Sequence, residues 1–254
     1  MSGRVEIVPV QGLPEVAAGD RLGELIAGAL AGAGEEVSTA DVLAVAQKAV
    51  SKAEGRVRDL DDVAPGARAQ RLAKNLGKDP RLVELILSES RSVVRAERDV
   101  LIVETLSGWI CANAGIDASN VPGTRRVTLL PEDSDASARR IRAEIGSVTG
   151  VRPAVLVADS FGRPWRLGQT DVAIGCAGLA PLDDWRGRSD RQGRGLAATA
   201  VAIADEVAAA ADLARSKDAG LPVCLVRGLG RFVVVDDGPG AGAIQRPDQW
   251  DLFR

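Results

Sequence analysis

Three stretches of nearly unbroken apolar character, residues 41–50, 153–157 and 222–226, limit what this chain can become. Runs this short and this apolar read as strands buried on both faces of a sheet. The first ends at Ser51 and Lys52 and the second at Asp159 and Ser160, so polar groups follow directly on buried strands. Further strands are expected at residues 5–10, 100–104, 127–130, 172–182 and 232–235. Helical spacing marks residues 20–30, with Leu22, Leu25, Ile26 and Leu30 on one face, and also residues 67–76 and 80–88. Another helix is expected to start near Ser134, with Asp133 and Asp135 at its N-terminal end. A long Ala-rich helix is expected over residues 197–217, closed by Gly220 and Pro222. Residues 111–123, 161–169 and 185–195 read as loops. Strands and helices intermix without strict βαβ alternation, which indicates a mixed α/β (α+β) architecture. No internal repeat or long linker separates domains, so residues 1–254 are expected to form a single unit.

Only 3% of the residues are aromatic, so Ala, Val, Leu and Ile must fill the core with elements in close approach. The chain has no His and no Tyr. That excludes a Ser-His-Asp or Cys-His apparatus, His-ligated zinc and a tyrosyl proton donor. Acid–base and electrostatic work falls to Asp, Glu, Lys, Arg, a thiol or a bound metal. Cys111, Cys176 and Cys224 are widely spaced and odd in number, which reads as three buried reduced thiols. With 35 acidic and 32 basic residues the net charge is -3, which gives no nucleic-acid footprint. No apolar run approaches the roughly 18 residues of a membrane span, and residues 1–11 lack the plan of a signal peptide. A soluble, cytoplasmic protein is expected.

Neither standard phosphate-binding glycine fingerprint is present. The Gly-rich residues 238–242 read as a flexible loop. Gln47, Lys48 and Lys52 lie at the end of a buried run, where lysines suit a phosphate chain or form a merely solvated strand end. Asp117 lies in a loop of small polar residues. Asp159 closes a buried strand, with Ser160, Arg163 and Arg166 close behind. Carboxylates at strand ends beside a hydroxyl are hard oxygen ligands for magnesium or manganese. Each could equally be a turn or cap residue. Arg163 and Arg166 could clamp phosphate or carboxylate. Arg186, Arg188, Arg191 and Arg194 form either a solvated face or an anionic-substrate site. Trp165 offers a stacking surface or belongs to the core.

Several strings resemble one family. They are Val45-Ala46-Gln47-Lys48-Ala49-Val50-Ser51-Lys52-Ala53-Glu54-Gly55-Arg56, Cys111-Ala112-Asn113-Ala114-Gly115-Ile116-Asp117-Ala118-Ser119-Asn120-Val121 and Asp159-Ser160-Phe161-Gly162-Arg163-Pro164-Trp165-Arg166. Gly168-Gln169-Thr170-Asp171-Val172-Ala173-Ile174-Gly175, the segment from Ala204 to Ala211 and the terminal Asp251-Leu252-Phe253-Arg254 belong with them. The chain resembles the coenzyme F420:L-glutamate ligases from end to end, including the N-terminal half of the bifunctional mycobacterial enzyme, without the fused nitroreductase-like half.

The resemblance implies GTP-dependent attachment of L-glutamate to the lactyl carboxylate of coenzyme F420-0, with extension of a γ-linked tail. It implies an intertwined homodimer of two closely packed lobes. It makes Asp117, Asp159 and Ser160 ligands of a divalent metal, with Ser160 where the family usually has Thr. Leu13, Pro14, Glu15, Val16, Gln47, Lys48, Lys52 and Asn120 would contact GTP, and a potassium ion is a further candidate cofactor. Leu106 and Ser107 stand where the family often has a His pair. Ser216 stands where many members have an acidic metal ligand.

A carboxylate is a poor electrophile, and phosphoryl transfer from GTP would activate it as an acyl phosphate. Such transfer asks mainly for positioning and charge neutralisation, which suits a chain without His. In this reading Asp117 and Asp159 hold the metal against the phosphates. Lys52 with Arg163 or Arg166 neutralises developing charge. Two alternatives stand beside it: glutamylation of another acid such as a folate, and a non-catalytic protein that binds GTP and metal.

Overall fold

The structure, a computed structural model, describes residues 3–118, 125–215 and 219–252. The chain runs through β1 (Glu6–Pro9), α1 (Leu22–Gly32), β2 (Val42–Ala46), α2 (Gln47–Ala53), β3 (Val57–Asp59), α3 (Ala67–Leu76) and α4 (Pro80–Ser88). It continues with β4 (Ser90–Glu97), β5 (Val100–Thr105), β6 (Ile110–Ala112), β7 (Arg126–Thr128), α5 (Ser134–Thr149), β8 (Ala154–Arg163) and β9 (Arg166–Ala177). Last come β10 (Asp183–Asp184), β11 (Ala200–Val201), α6 (Ile203–Ala214) and β12 (Val223–Arg227).

The three apolar runs become the middle of a five-stranded sheet of order β1-β12-β2-β8-β9. Within it β2 and β8 are parallel and the other neighbours antiparallel. Alternate residues serve opposite faces. Leu43, Val45, Val155, Val157, Val223 and Leu225 pack with Leu22, Ile26 and Leu30 of α1 and Ile141 and Ile145 of α5. Val42, Ala44, Ala154, Leu156, Cys224 and Val226 pack beneath α6. There Ala44, Ala158 and Ala173 lie in one cluster with Ala204, Ala208 and Ala211, so the sheet and α6 approach closely without aromatic filler. Burial on both faces explains the absence of polar alternation in these strands. All three cysteines are buried and unpaired, as expected, and burial pushes the Cys111 and Cys176 thiols up to about 12.

A second core forms where α3 and α4 cover the sheet β4-β5-β6. It holds Ala69, Ala73, Leu76, Val83, Ile86, Leu101, Val103 and Ala114. Asp79 caps α4 ahead of Pro80, and left-handed Gly77 ends α3, so both boundaries follow from local chemistry. This α+β arrangement matches the expected fold class. Among the described residues no helix is long and apolar enough to cross a membrane.

Several expected elements differ. The run over 41–50 is strand only to Ala46, and Gln47 opens α2. Residues 161–169 are not a loop: β8 and β9 pair as one hairpin from Val155↔Ala177 to Arg163↔Arg166. The long helix is confined to Ile203–Ala214. Ahead of it the β-branched Thr199 and Val201 favour extended chain, which pairs with the backbone at Asp183 and Trp185. The expected strand over 232–235 is a 3-10 turn, Gly230–Phe232, followed by a lone bridge from Val233 to Leu179. The Gly-rich 238–242 is pinned, since Asp135 at the start of α5 accepts from the N–H groups of Ala241 and Gly242. Trp165 stands 80% exposed at the tip of the long hairpin, in no core.

Candidate active site

Open α/β sheets place ligands beyond the carboxyl ends of their parallel strands. Here β2 ends at Ala46, where its parallel pairing with β8 stops at Ala158, while β8 itself runs on to Arg163. Past Ala46 the chain winds into α2 and delivers Gln47, Lys48, Ser51 and Lys52. Past Ala158, Asp159 and Ser160 follow directly along β8.

Asp117 arrives from the second core. After β6 the backbone turns through Asn113 (φ 53), Ala114 (φ 55) and Gly115 (φ 68). Two consecutive non-Gly residues in the left-handed region are strained, and surrounding structure must hold them there. Ala114 is buried in the second core and Gly115 packs against Leu130. Asp117 then bridges Thr128 through both backbone hydrogen bonds, at 3.1 and 2.8 Å. Its Oδ2 lies 2.8 Å from Lys48 Nζ.

The Asp159 carboxyl is pushed up to about 7, chiefly by burial and further by the Asp171 and Asp117 charges. A hydrogen bond from the Ser160 N–H and the Lys48 charge oppose the rise. Lys48, Asp117 and Asp159 are therefore electrostatic neighbours. Two buried acceptors, Gln47 Oε1 and Asn113 Oδ1, have no hydrogen-bond partner. Such orphans are uncommon in native interiors. The Gln47 amide nitrogen is spent on Ser51 Oγ and the Leu129 carbonyl, which orients the side chain.

The first loop also reaches this edge. Leu13 and Val16 pack into the core under α1, and the Gly19 N–H bonds the Ala53 carbonyl at the end of α2. Exposed Glu15 is thereby set 2.6 Å from Lys52 Nζ. So the first loop meets α2 through Glu15 and Lys52, while Leu13 and Val16 face the core, and Lys48 on the same helix reaches Asp117.

Other expected residues lie apart. Arg163 and Arg166 are exposed at the hairpin tip. Arg163 stands four residues beyond Asp159, about 13 Å at strand rise, and Arg163 donates to the Leu167 carbonyl. Ser160 points to the opposite face of β8 from Asp159, because it pairs with Asp171, whose neighbour Ala173 lies under α6. Asn120 and Ser216 lie outside the described residues. In the basic loop Arg186 pairs with Asp184, and Arg188 pairs with Asp183 and stacks over Trp185, so these arginines are largely self-neutralised.

Asp171 was legible only as part of a resembling string. It is buried, accepts from Ser160 Oγ at 2.6 Å, and is paired with Arg215 at 2.6 Å. It is the first buried residue of β9, at the point where the exposed arm of the hairpin enters the sheet.

Comparison with known proteins decides the family. The model of the family described as "F420-0:Gamma-glutamyl ligase" matches residues 12–228. The chain belongs to this family. A protein named Coenzyme F420:L-glutamate ligase from Methanothermobacter thermautotrophicus is 42% identical over 98% of this chain and 99% of its own length. Its namesake from Methanopyrus kandleri is 44% identical over 99% and 97%, respectively. That from Methanocaldococcus jannaschii is 39% identical over the same shares. As a family member the chain is a ligase that forms a carbon–nitrogen bond.

Proposed function

We propose that this ligase joins L-glutamate to the lactyl carboxylate of coenzyme F420-0 using GTP, through an acyl phosphate, and extends the product through γ-linked glutamates. The observation that carries the reading is the convergence of Lys48, Asp117 and Asp159 where the parallel pairing of β2 and β8 ends. In the first step an oxygen of the acceptor carboxylate attacks the γ-phosphorus, and GDP leaves. In the second the glutamate amine attacks the acyl carbon, inorganic phosphate leaves, and the nitrogen gives up a proton.

Neither step needs a covalent enzyme intermediate, so positioning and charge balance dominate. Lys48 and Lys52 place two ammonium groups on α2 beside the first loop, where the phosphate chain would lie. The donor chemistry at Asp117 and Asp159 fits magnesium or manganese. Asp159 ionises with difficulty because it is buried and, secondarily, because it faces the Asp171 and Asp117 charges, a cost that a bound cation would relieve. Among the described residues no three His, Cys, Asp or Glu side chains form a metal cluster. Nucleotide phosphate oxygens and water would join the two carboxylates around such an ion. The ion would supply charge neutralisation for the phosphates. Potassium, if used, would suit the orphan carbonyls of Gln47 and Asn113. A homodimer would bury the exposed Trp165 and Leu167 on the hairpin arm and carry Arg163 and Arg166 toward a second copy.

Hydroxylamine tests the intermediate. Incubation with GTP, F420-0, manganese and hydroxylamine, without glutamate, should yield the F420-0 hydroxamate with GDP and phosphate. GDP formed without any hydroxamate, under conditions that trap an authentic acyl phosphate, would reject the acyl-phosphate route.

A further inference from the structure

Helix α3 carries Arg68, Arg71 and Lys74 and no acidic residue. Successive members of this set stand three residues apart, so like charges are neighbours along one side of the helix, an unfavourable arrangement unless an anion meets them. Among the described residues no carboxylate pairs with any of the three. Elsewhere the chain meets its arginines internally: Arg56 by Glu89 and Glu132, Arg81 by Asp79 and Asp61, Arg142 and Arg152 by Asp237.

Beside the helix runs β4, which among the described residues pairs only with β5. Arg68, Arg71, Leu72 and Asn75 of α3 and Val93 of β4 line a groove of about 310 Å³. Leu72 and Val93 rest on the second core and give the groove an apolar floor, while Arg68 and Arg71 are exposed above it. A ligand that fits is a chain in which carboxylates alternate with methylene groups. A γ-linked oligoglutamate has that chemistry. Each residue keeps a free α-carboxylate, which a guanidinium takes in bidentate fashion, and places two methylenes in the chain itself. Its repeat of five chain bonds, about 6 Å when extended, is close to the separation of about 5–6 Å between side chains three residues apart on a helix.

The groove also stands at a suitable place. Val93 pairs with Val103, and Val103 with Cys111, so Val93 is two strand spacings, about 10 Å, from Cys111. Strand β6, which carries Cys111, packs against β8, and Cys111 feels the Asp159 charge. A tail whose growing end is at Asp159 therefore reaches the groove once it is about three residues long.

We propose that the α3–β4 groove docks the γ-linked oligoglutamate tail of the product, with Arg68 and Arg71 on its α-carboxylates, and so favours longer tails. The inference rests on the proposed extension through γ-linked glutamates.

The test is fluorescence anisotropy of dye-labelled tetra-γ-L-glutamate titrated with the full chain. Wild type should bind it, more weakly as salt rises. Arg68→Gln/Arg71→Gln should bind at least about tenfold more weakly, since two charge-assisted contacts are lost, with thermal unfolding matching wild type. Mass spectrometry of the products made from F420-0 should show the variant's share of tails beyond about three glutamates cut at least fivefold. Equal probe affinity or equal tail lengths in the two proteins, or no binding to wild type, would overturn the inference and leave glutamate addition standing. A single-stranded RNA of matched charge that binds wild type more tightly than the probe, and is lost in the variant, would overturn it in favour of a nucleic-acid face. Wild type that never adds a second glutamate would overturn the extension reading and this inference with it.

Discussion

Lys48 Nζ lies 2.8 Å from Asp117 Oδ2, and this contact joins the main sheet to the second core. The lysine comes from the helix that follows β2, and the carboxylate from a strained turn held by α4 and β5. In the proposed reading a ligand at this edge would touch groups from both cores.

Replacing Lys48 by Met should weaken GTP binding by about 10- to 100-fold, since a hydrogen bond to a charged group contributes about 1.5–3 kcal/mol. Isothermal titration calorimetry reads this directly. Unchanged affinity would remove Lys48 from the nucleotide site.

Asp159→Asn should abolish metal-dependent turnover and leave the fold intact. It should also change how the metal-free protein responds to pH. The carboxyl holds its proton up to about 7 in the folded chain against 3.8 when unfolded. Between those values the folded state binds more protons, so stability falls as pH rises through that window. Asn carries no such charge. Thermal scans should show the metal-free variant melting above wild type at pH 8 and level with it near pH 4. For a chain of this size about 1 kcal/mol corresponds to about 2–4 °C. A variant less stable than wild type at pH 8 would contradict the electrostatic account of this residue.

Gly115→Ala should destabilise the protein by about 1–3 kcal/mol. A Cβ there would meet Leu130 at 2.7 Å on a backbone with φ 68. Gly28→Ala in α1, with nothing within 4 Å, should gain about 0.5–1 kcal/mol. Urea unfolding of the two variants measures both signs. Equal effects would mean that the Asn113–Gly115 turn is not held as described.

The buried strands and both short helices of the second core were legible because each is fixed by local pattern or capping, whereas Asp159, expected to close its strand, lies inside β8. The start of α2 was hidden because Ala49 and Val50 resume the apolar run, so Gln47 and Lys48 between them do not tell a strand end from a helix start. The β8–β9 hairpin was hidden because Gly162, Pro164 and Gly168 look like loop residues, while its ladder is a long-range property. Lys48, Asp117 and Asp159 could each be named, yet spacing of about forty residues or more says nothing of their convergence. The split between Asp159 and Ser160 needed the register Ser160↔Asp171, which no single string displays.

The most direct measurement is mass spectrometry of coenzyme F420-0 after incubation with the purified protein, GTP, L-glutamate and magnesium or manganese. The account predicts a mass gain of one or more glutamyl residues that disappears when GTP is withheld. F420-0 recovered unchanged from the complete mixture, with GTP still bound to the protein, would contradict it and direct attention to another acceptor acid, folates first.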